Sequence, residues 1–151
     1  MALALVKPEP AVIRRFQTPD LNRHGGWMIP RLLKAYPMLT EQRIAGWLNG
    51  LIYSNEFLFL YQDHGVALAQ RFFPDALQPM PVTIEKFVFV ENIEDAAQIA
   101  NAALFYDEFL RWSKNQSIAT IIVEELSDVP HDTIKERLGR LFTRQQTFAR
   151  L

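Results

Sequence analysis

The chain has 151 residues, 16 Lys and Arg against 17 Asp and Glu, a formal charge of −1 and no cysteine. That length suits a single domain covering 1–151, with enough chain to bury a core without disulfide or metal staples. A 49% hydrophobic composition excludes a disordered tail, the balanced charge argues against a general polyanion binder, and the lack of cysteine removes zinc-ribbon sites, disulfide frameworks and thiol nucleophiles. Ala11–Phe16 reads as a first strand, closed by Thr18-Pro19-Asp20. A helix start at Asp20-Leu21-Asn22 is interrupted at Gly25-Gly26, and Pro30 suits the first turn of a further helix through Leu32, Leu33 and Tyr36, where its missing N–H costs nothing. Thr40 caps the next helix, along which Ile44, Trp47, Leu48 and Leu51 recur at helical spacing.

The middle of the chain changes period. Phe57–Tyr61 and Val66–Phe72 flank the turn signal Asp63-His64-Gly65 and read as an antiparallel hairpin. Phe57, Phe59, Tyr61, Phe72 and Phe73 crowd this hairpin, which fits either a strand buried on both faces or a surface covered by a partner. Val82–Val90 is another strand. Asn92 then caps a long helix with Ile99, Ala103, Tyr106 and Leu110 on one stripe, closed by Lys114-Asn115. Ile118–Val123 is a buried-type strand, and a short helix from Pro130-His131 stops at Gly139. The tail, Leu141–Thr143 with Thr147–Leu151, is a candidate last hairpin. The strand–helix–strand crossover places its two strands parallel in an otherwise mostly antiparallel sheet, which makes the class α+β.

This element order, together with the residues from Val82 onward, resembles the GNAT superfamily of N-acetyltransferases. The resemblance implies a mixed, mostly antiparallel sheet with helices on both sides, and acetyl-CoA held by the fourth strand and the helix after it. On this chain those positions are Val88, Val90, Gln98, Ile99 and Ala100. The family's pyrophosphate loop reads Arg/Gln-x-x-Gly-x-Gly/Ala, and its backbone N–H groups face the phosphates. Here the loop falls on Asp95-Ala96-Ala97-Gln98-Ile99-Ala100, with Asp95 at the basic position and Gln98 at the central glycine. Glu91 and Glu94 add negative charge. At ~4–6 Å each unit charge opposes an anion by roughly 3–4 kcal/mol at an effective dielectric near 20, less when exposed and salted. The same acids also complement the positive end of a helix.

The resemblance also asks for a base on the fourth strand and an acid near the last turn. Glu85 is the candidate base. Its other reading is an outward-facing polar residue in an alternating strand. The acid is a Tyr in many relatives; Lys135 stands at that place, and Tyr106 reads as a core residue of the long helix. His24, His64 and His131 lack metal-ligand spacing, so no metal is expected, and His64 and His131 read as solvated. No serine has a G-x-S-x-G frame. Arg137, Arg140, Arg144 and Arg150 read as a solvated face or partner contact rather than a nucleic-acid site.

Two functions remain open on these residues. The first is a GNAT-fold protein with an eroded acetyl-CoA site and no cofactor, serving as an interaction or structural component through a protein partner or self-association. Tailed-phage gene products, virion-associated ones included, are similar in this respect. The second is an acetyl-CoA-dependent N-acyltransferase acting on an amine. No apolar run approaches the roughly 18–20 residues of a membrane span, and Met1–Val6 lacks the basic flank of a signal peptide, so the expected location is the cytoplasm, or the virion for a phage protein.

Overall fold

Alternating aromatic and branched residues make β2 (Phe57–Gln62) and β3 (Gly65–Phe72) the antiparallel pair that the turn at Asp63-His64 predicts. The computed structural model describes residues 12–75, 77, 80–124 and 126–144. Around the hairpin stand β1 (Arg14–Arg15), β4 (Val82–Val90), β5 (Ile121–Val123) and β6 (Phe142–Arg144), and the six strands lie in the sheet in chain order. The β1–β2, β2–β3 and β3–β4 pairs are antiparallel; β4–β5 and β5–β6 are parallel. Two parallel pairs require two crossovers, and helices fill both.

Helices cover both faces. On one lie α1 (Asp20–Ala35) and α2 (Glu41–Ile52), whose Met28, Leu32, Ile44 and Leu48 share a core with Phe59, Leu68, Phe87 and Phe89. On the other lie α3 (Ala96–Ala102), α4 (Leu104–Asn115) and α5 (His131–Leu138). There Phe105, Tyr106 and Phe109 share a core with the small Ala67 and Ala69 of β3 and with Val88 and Val90 of β4. Of the aromatics that crowd this hairpin, Phe59 is core, Phe57 and Tyr61 are half-buried against the same cluster, and Phe72 and Phe73 are exposed. Among the described residues no helix is long and apolar enough to cross a membrane.

One register shift decides which face each β4 residue takes. Leu68 pairs with Phe87 and Ala69 with Glu85, so Lys86 is an extra, bulged residue. A bulge reverses the alternation and re-aims side chains. Before it, Thr83 and Glu85 face α4, bonding Ser113 and Tyr106. After it, Phe87 and Phe89 face α1 and α2, while Val88 and Val90 face α4.

Several sequence expectations need correction. Gly25-Gly26 does not interrupt the first helix, and Pro30 lies inside α1 rather than opening a new one. A proline ring crowds the carbonyl four residues earlier. That residue is Gly26, where even a Cβ would meet nothing within 4 Å, and the buried His24, Met28, Ile29 and Leu32 hold the helix together through tertiary packing. The expected long helix is two, α3 and α4, joined at Ala103, where Gln62 Nε2 donates to the Asn101 carbonyl at 2.8 Å and competes with the helix ladder. Its cap is Asp95, not Asn92. The first strand shrinks to Arg14–Arg15, extended by the Phe16 N–H bond to the Phe59 carbonyl at 2.9 Å. The last strand before α5 narrows to Ile121–Val123. β6 runs parallel to β5 rather than opening a hairpin, and the expected partner segment Thr147–Leu151 lies outside the described residues.

Among the described residues two turns carry positive φ, Ser117 at 58° after α4 and Gly139 at 56° after α5. An L side chain is strained in both places. Ser117→Gly should therefore stabilise the protein by about 1 kcal/mol, whereas Gly139→Ala should cost about 1–3 kcal/mol. Chemical denaturation of the two variants checks the opposite signs.

Candidate functional site

The resemblance places cofactor binding where β4 and β5 part. Thr83, Glu85 and the residue between them pair with Ile121–Val123. Past that point the regular pairing of the two strands stops, and a strand edge left bare inside a protein needs partners for its N–H and C=O groups. Here the chain supplies them from the segment Leu126–Asp128. Val88 N–H donates to the Leu126 carbonyl at 3.0 Å, and Asp128 N–H donates to the Val88 carbonyl at 2.9 Å. Val90 N–H donates to Asp128 Oδ2 at 2.8 Å, and Arg31 Nη1 donates to the Val90 carbonyl at 3.2 Å. Arg31 also grips Asp128 through both guanidinium nitrogens and lies over the Phe89 ring, 4.2 Å from its centroid. This fork-to-fork pairing is the strongest geometry open to an ion pair. The segment 126–128 is a strap, tied at one end to β4 and at the other to α1.

The loop that follows satisfies itself in the same way. Glu91 N–H bonds the His64 carbonyl at 2.8 Å, and Asn92 N–H bonds Gln98 Oε1 at 2.8 Å. Glu94 N–H bonds Asn92 Oδ1 at 3.0 Å, and Asp95 N–H bonds the Asn92 carbonyl at 3.1 Å. Asp95 Oδ1 accepts from Ala97 N–H at 3.0 Å and from Gln98 N–H at 3.4 Å. A capping carboxylate thus sits where an anion would need those donors. Arg23 and His64 hold the Glu91 carboxylate at a pKa of about 2, with Arg23 Nη2 at 2.9 Å and His64 Nδ1 at 3.1 Å, so Glu91 is a charge already paired. Glu94 is exposed beside it. A cavity of about 660 Å³ opens next to this loop, lined by Arg31, Lys34, Phe89, Ile93, Glu94 and Leu126 among others.

The site residues named from sequence fall into three groups. Val88 and Val90 are buried with their edge groups occupied by the strap. Gln98 is half-buried and spends its side chain on Asn92 N–H; Ile99 packs against the core and Ala100 is buried. Glu85 lies apart from both, on the α4 face. The outward-facing reading of Glu85 is wrong: the residue is fully buried because α4 covers the face that it takes.

Glu85 is joined there by two residues that sequence reasoning did not connect to it. Tyr106 OH donates to Glu85 Oε2 at 3.0 Å and lies 2.7 Å from Ser127 Oγ, which in turn accepts from Val129 N–H at 3.1 Å. Glu85 Oε1 has no partner among the described residues. Burial pushes the Glu85 carboxyl well above its ordinary value of 4.5, with Glu124 adding repulsion and the Tyr106 hydrogen bond opposing the shift. Burial likewise pushes the Tyr106 phenol well up, with the Glu85 charge adding to it. Glu85 therefore sits in a sealed site out of reach of solvent, where burial disfavours its charged form. Ser127 ties the strap to this pair, so the strap has a third anchor. Arg31, Ser127 and Asp128 were legible only as ordinary helix and turn residues.

No family model and no curated protein matches the chain. Solved structures do. An aminoglycoside 6′-N-acetyltransferase, AAC(6′)-Ih from Acinetobacter baumannii, superposes with a TM-score of 0.58 at 19% identity over 86% of this chain and 90% of that one. A ribosomal-protein-alanine N-acetyltransferase from Brucella melitensis biovar Abortus 2308 gives 0.57 at 12% identity over 85% and 88%. The AAC(6′)-IG enzyme from Acinetobacter haemolyticus gives 0.57 at 16% identity over 90% and 94%. The chain has the GNAT fold; at these identities the likeness is one of fold, and it carries nothing toward a virion role.

A carboxyl whose pKa is raised by folding contributes stability that is full below about 4.5 and is lost as pH rises toward the folded value. Glu85→Gln keeps the shape of the neutral acid without its proton. The variant should unfold at close to the wild-type temperature near pH 4 and at a higher one near pH 8. A wild-type advantage at the higher pH would contradict the upward shift of Glu85.

Proposed function

We propose that this GNAT-fold chain is a non-catalytic binding or structural component whose acetyl-CoA cleft is closed by its own strap. The observation that carries the reading is the occupied edge of β4. Both backbone groups of Val88 and both of Val90 bond within the protein. An acyl-CoA lying along this edge would have to displace Leu126–Asp128 and break the Arg31–Asp128 pair. The loop supports the same conclusion. Its N–H groups at 92, 94, 95, 97 and 98 are used internally, Asp95 stands where a basic residue is expected, and Gln98 replaces the central glycine. The residues present do not fit the cofactor, so no acyl-transfer step is derived through it. The role left for such a domain is association with a protein partner or a second copy.

The alternative, an acetyl-CoA-dependent N-acyltransferase acting on an amine, has one feature in its favour. A carboxyl on β4 and a phenol, the two group types such a reaction needs, stand 3.0 Å apart at Glu85 and Tyr106. A general base, however, has to reach the proton that it removes. Glu85 is fully buried, and burial raises its pKa against the ionised form that a base needs.

Isothermal titration separates the two readings. Millimolar acetyl-CoA should give no binding heat with the wild-type chain, and saturable micromolar binding would overturn the proposal. Asp95→Arg with Gln98→Gly repairs the loop but leaves the strap closed, so it should add no affinity. Adding Asp128→Gly, which releases Arg31 and the Val90 N–H, should give the first detectable binding.

A further inference from the structure

The β4 bulge aims Lys86 into a second cavity, distinct from the cleft beside the strap. It holds about 520 Å³ between α1 and α2 and is lined by Leu32, Tyr36, Leu39, Ile44, Trp47, Arg43 and Lys86. Small-molecule sites commonly measure roughly 300–1,000 Å³ and combine apolar walls with a few convergent polar groups. Leu32 and Ile44 are buried at its base, while Leu39 and Trp47 are more than a third exposed and form its open side. Among the described residues no carboxylate lines the cavity. Its charged side chains are both cations, and Trp47 and Tyr36 add an indole N–H and a phenol. Burial raises the Tyr36 pKa, which keeps that phenol a donor.

The two cations are offset only in part. Lys86 stands 3.7 Å from Glu124, the long end of an ion pair. Arg43 makes no ion pair among the described residues. Among the described residues the lining of the cavity is therefore net positive beside an indole face.

We propose that this cavity binds a small aromatic monocarboxylate, its ring against Trp47 and its carboxylate shared between Lys86 and Arg43. A flat apolar ring fills the space over Leu32 and Ile44, and a carboxylate can take one hydrogen bond from each cation, since each of its oxygens accepts more than one donor. An amine would meet Lys86 and Arg43 as like charges. This assignment does not depend on whether the cleft takes CoA.

The test uses the full chain with three probes that share one ring system: indole-3-butyrate, its neutral amide, and tryptamine. Titration followed by calorimetry and by amide and indole N–H resonances should show saturable binding of indole-3-butyrate. The Trp47 and Ile44 signals should shift, and those of Val88–Gln98 should not. The amide should bind at least about tenfold more weakly, and tryptamine more weakly still. Arg43→Ala and Lys86→Met should each weaken the carboxylate about tenfold with the unfolding temperature held, and Lys86→Arg should retain it. Equal binding of all three probes, shifts confined to the cleft, unchanged affinity in both variants, or no binding at millimolar indole-3-butyrate would each overturn the proposal.

Discussion

The pairing of Arg31 with Asp128 joins three parts of the molecule that share no covalent neighbourhood. Arg31 belongs to α1, Asp128 to the strap after β5, and both bond Val90 at the end of β4. The constraint behind it is general. When two parallel strands diverge, the inner strand's N–H and C=O groups must be satisfied by something, and a buried polar group without a partner costs about 1–3 kcal/mol. In this chain the strap answers that demand. Breaking a buried ion pair by removing one partner costs about 3–5 kcal/mol, and the one-third exposure of Arg31 lowers that figure through solvent screening. The Val90 N–H would be stranded as well. The strap is thus held by backbone bonds at Val88, by the ion pair, and by Ser127 on Tyr106.

The second determinant is a single extra residue in β4. With regular alternation Glu85, Phe87 and Phe89 would share a face. The bulge at Lys86 puts Glu85 against α4 and turns Phe87 and Phe89 to the α1 and α2 side. It leaves a carboxyl sealed under a tyrosine on one face of the sheet and an ammonium in an open cavity on the other. The buried carboxyl and the cationic cavity therefore share one structural origin.

Much of the fold could be read from the sequence, because strong local signals and tertiary packing agree. The bounds of Val82–Val90, the Thr40 cap with its bond from Arg43 N–H at 3.2 Å, the Asp63-His64 turn and the stop at Gly139 all stand. The errors came where packing overrides propensity. Pro30 sits mid-helix because the buried Met28 and Leu32 hold the turn by packing. Ala103 breaks a helix whose periodicity looks continuous, because a glutamine from β2 bonds a carbonyl there. His24 shows no pattern in sequence, yet it is buried, accepting from Trp27 Nε1 at 3.0 Å and bonding the Gln62 carbonyl at 2.8 Å.

By itself the sequence determined the element order, the α+β class and the absence of a glycine anywhere between Gly65 and Gly139, the stretch that holds the expected phosphate loop. Those follow from local chemistry: side-chain period, capping, and the backbone freedom that only glycine supplies. Only the tertiary structure decided that the loop's N–H groups are spent on Asn92, Asp95 and Gln98, that Leu126–Asp128 lies along β4, and that Glu85 is buried under Tyr106. The loop bonds are local, but the strap and the Glu85 site depend on residues brought together from distant parts of the chain. Arg31 and Asp128 are 97 positions apart, and no local preference of either residue encodes the contact.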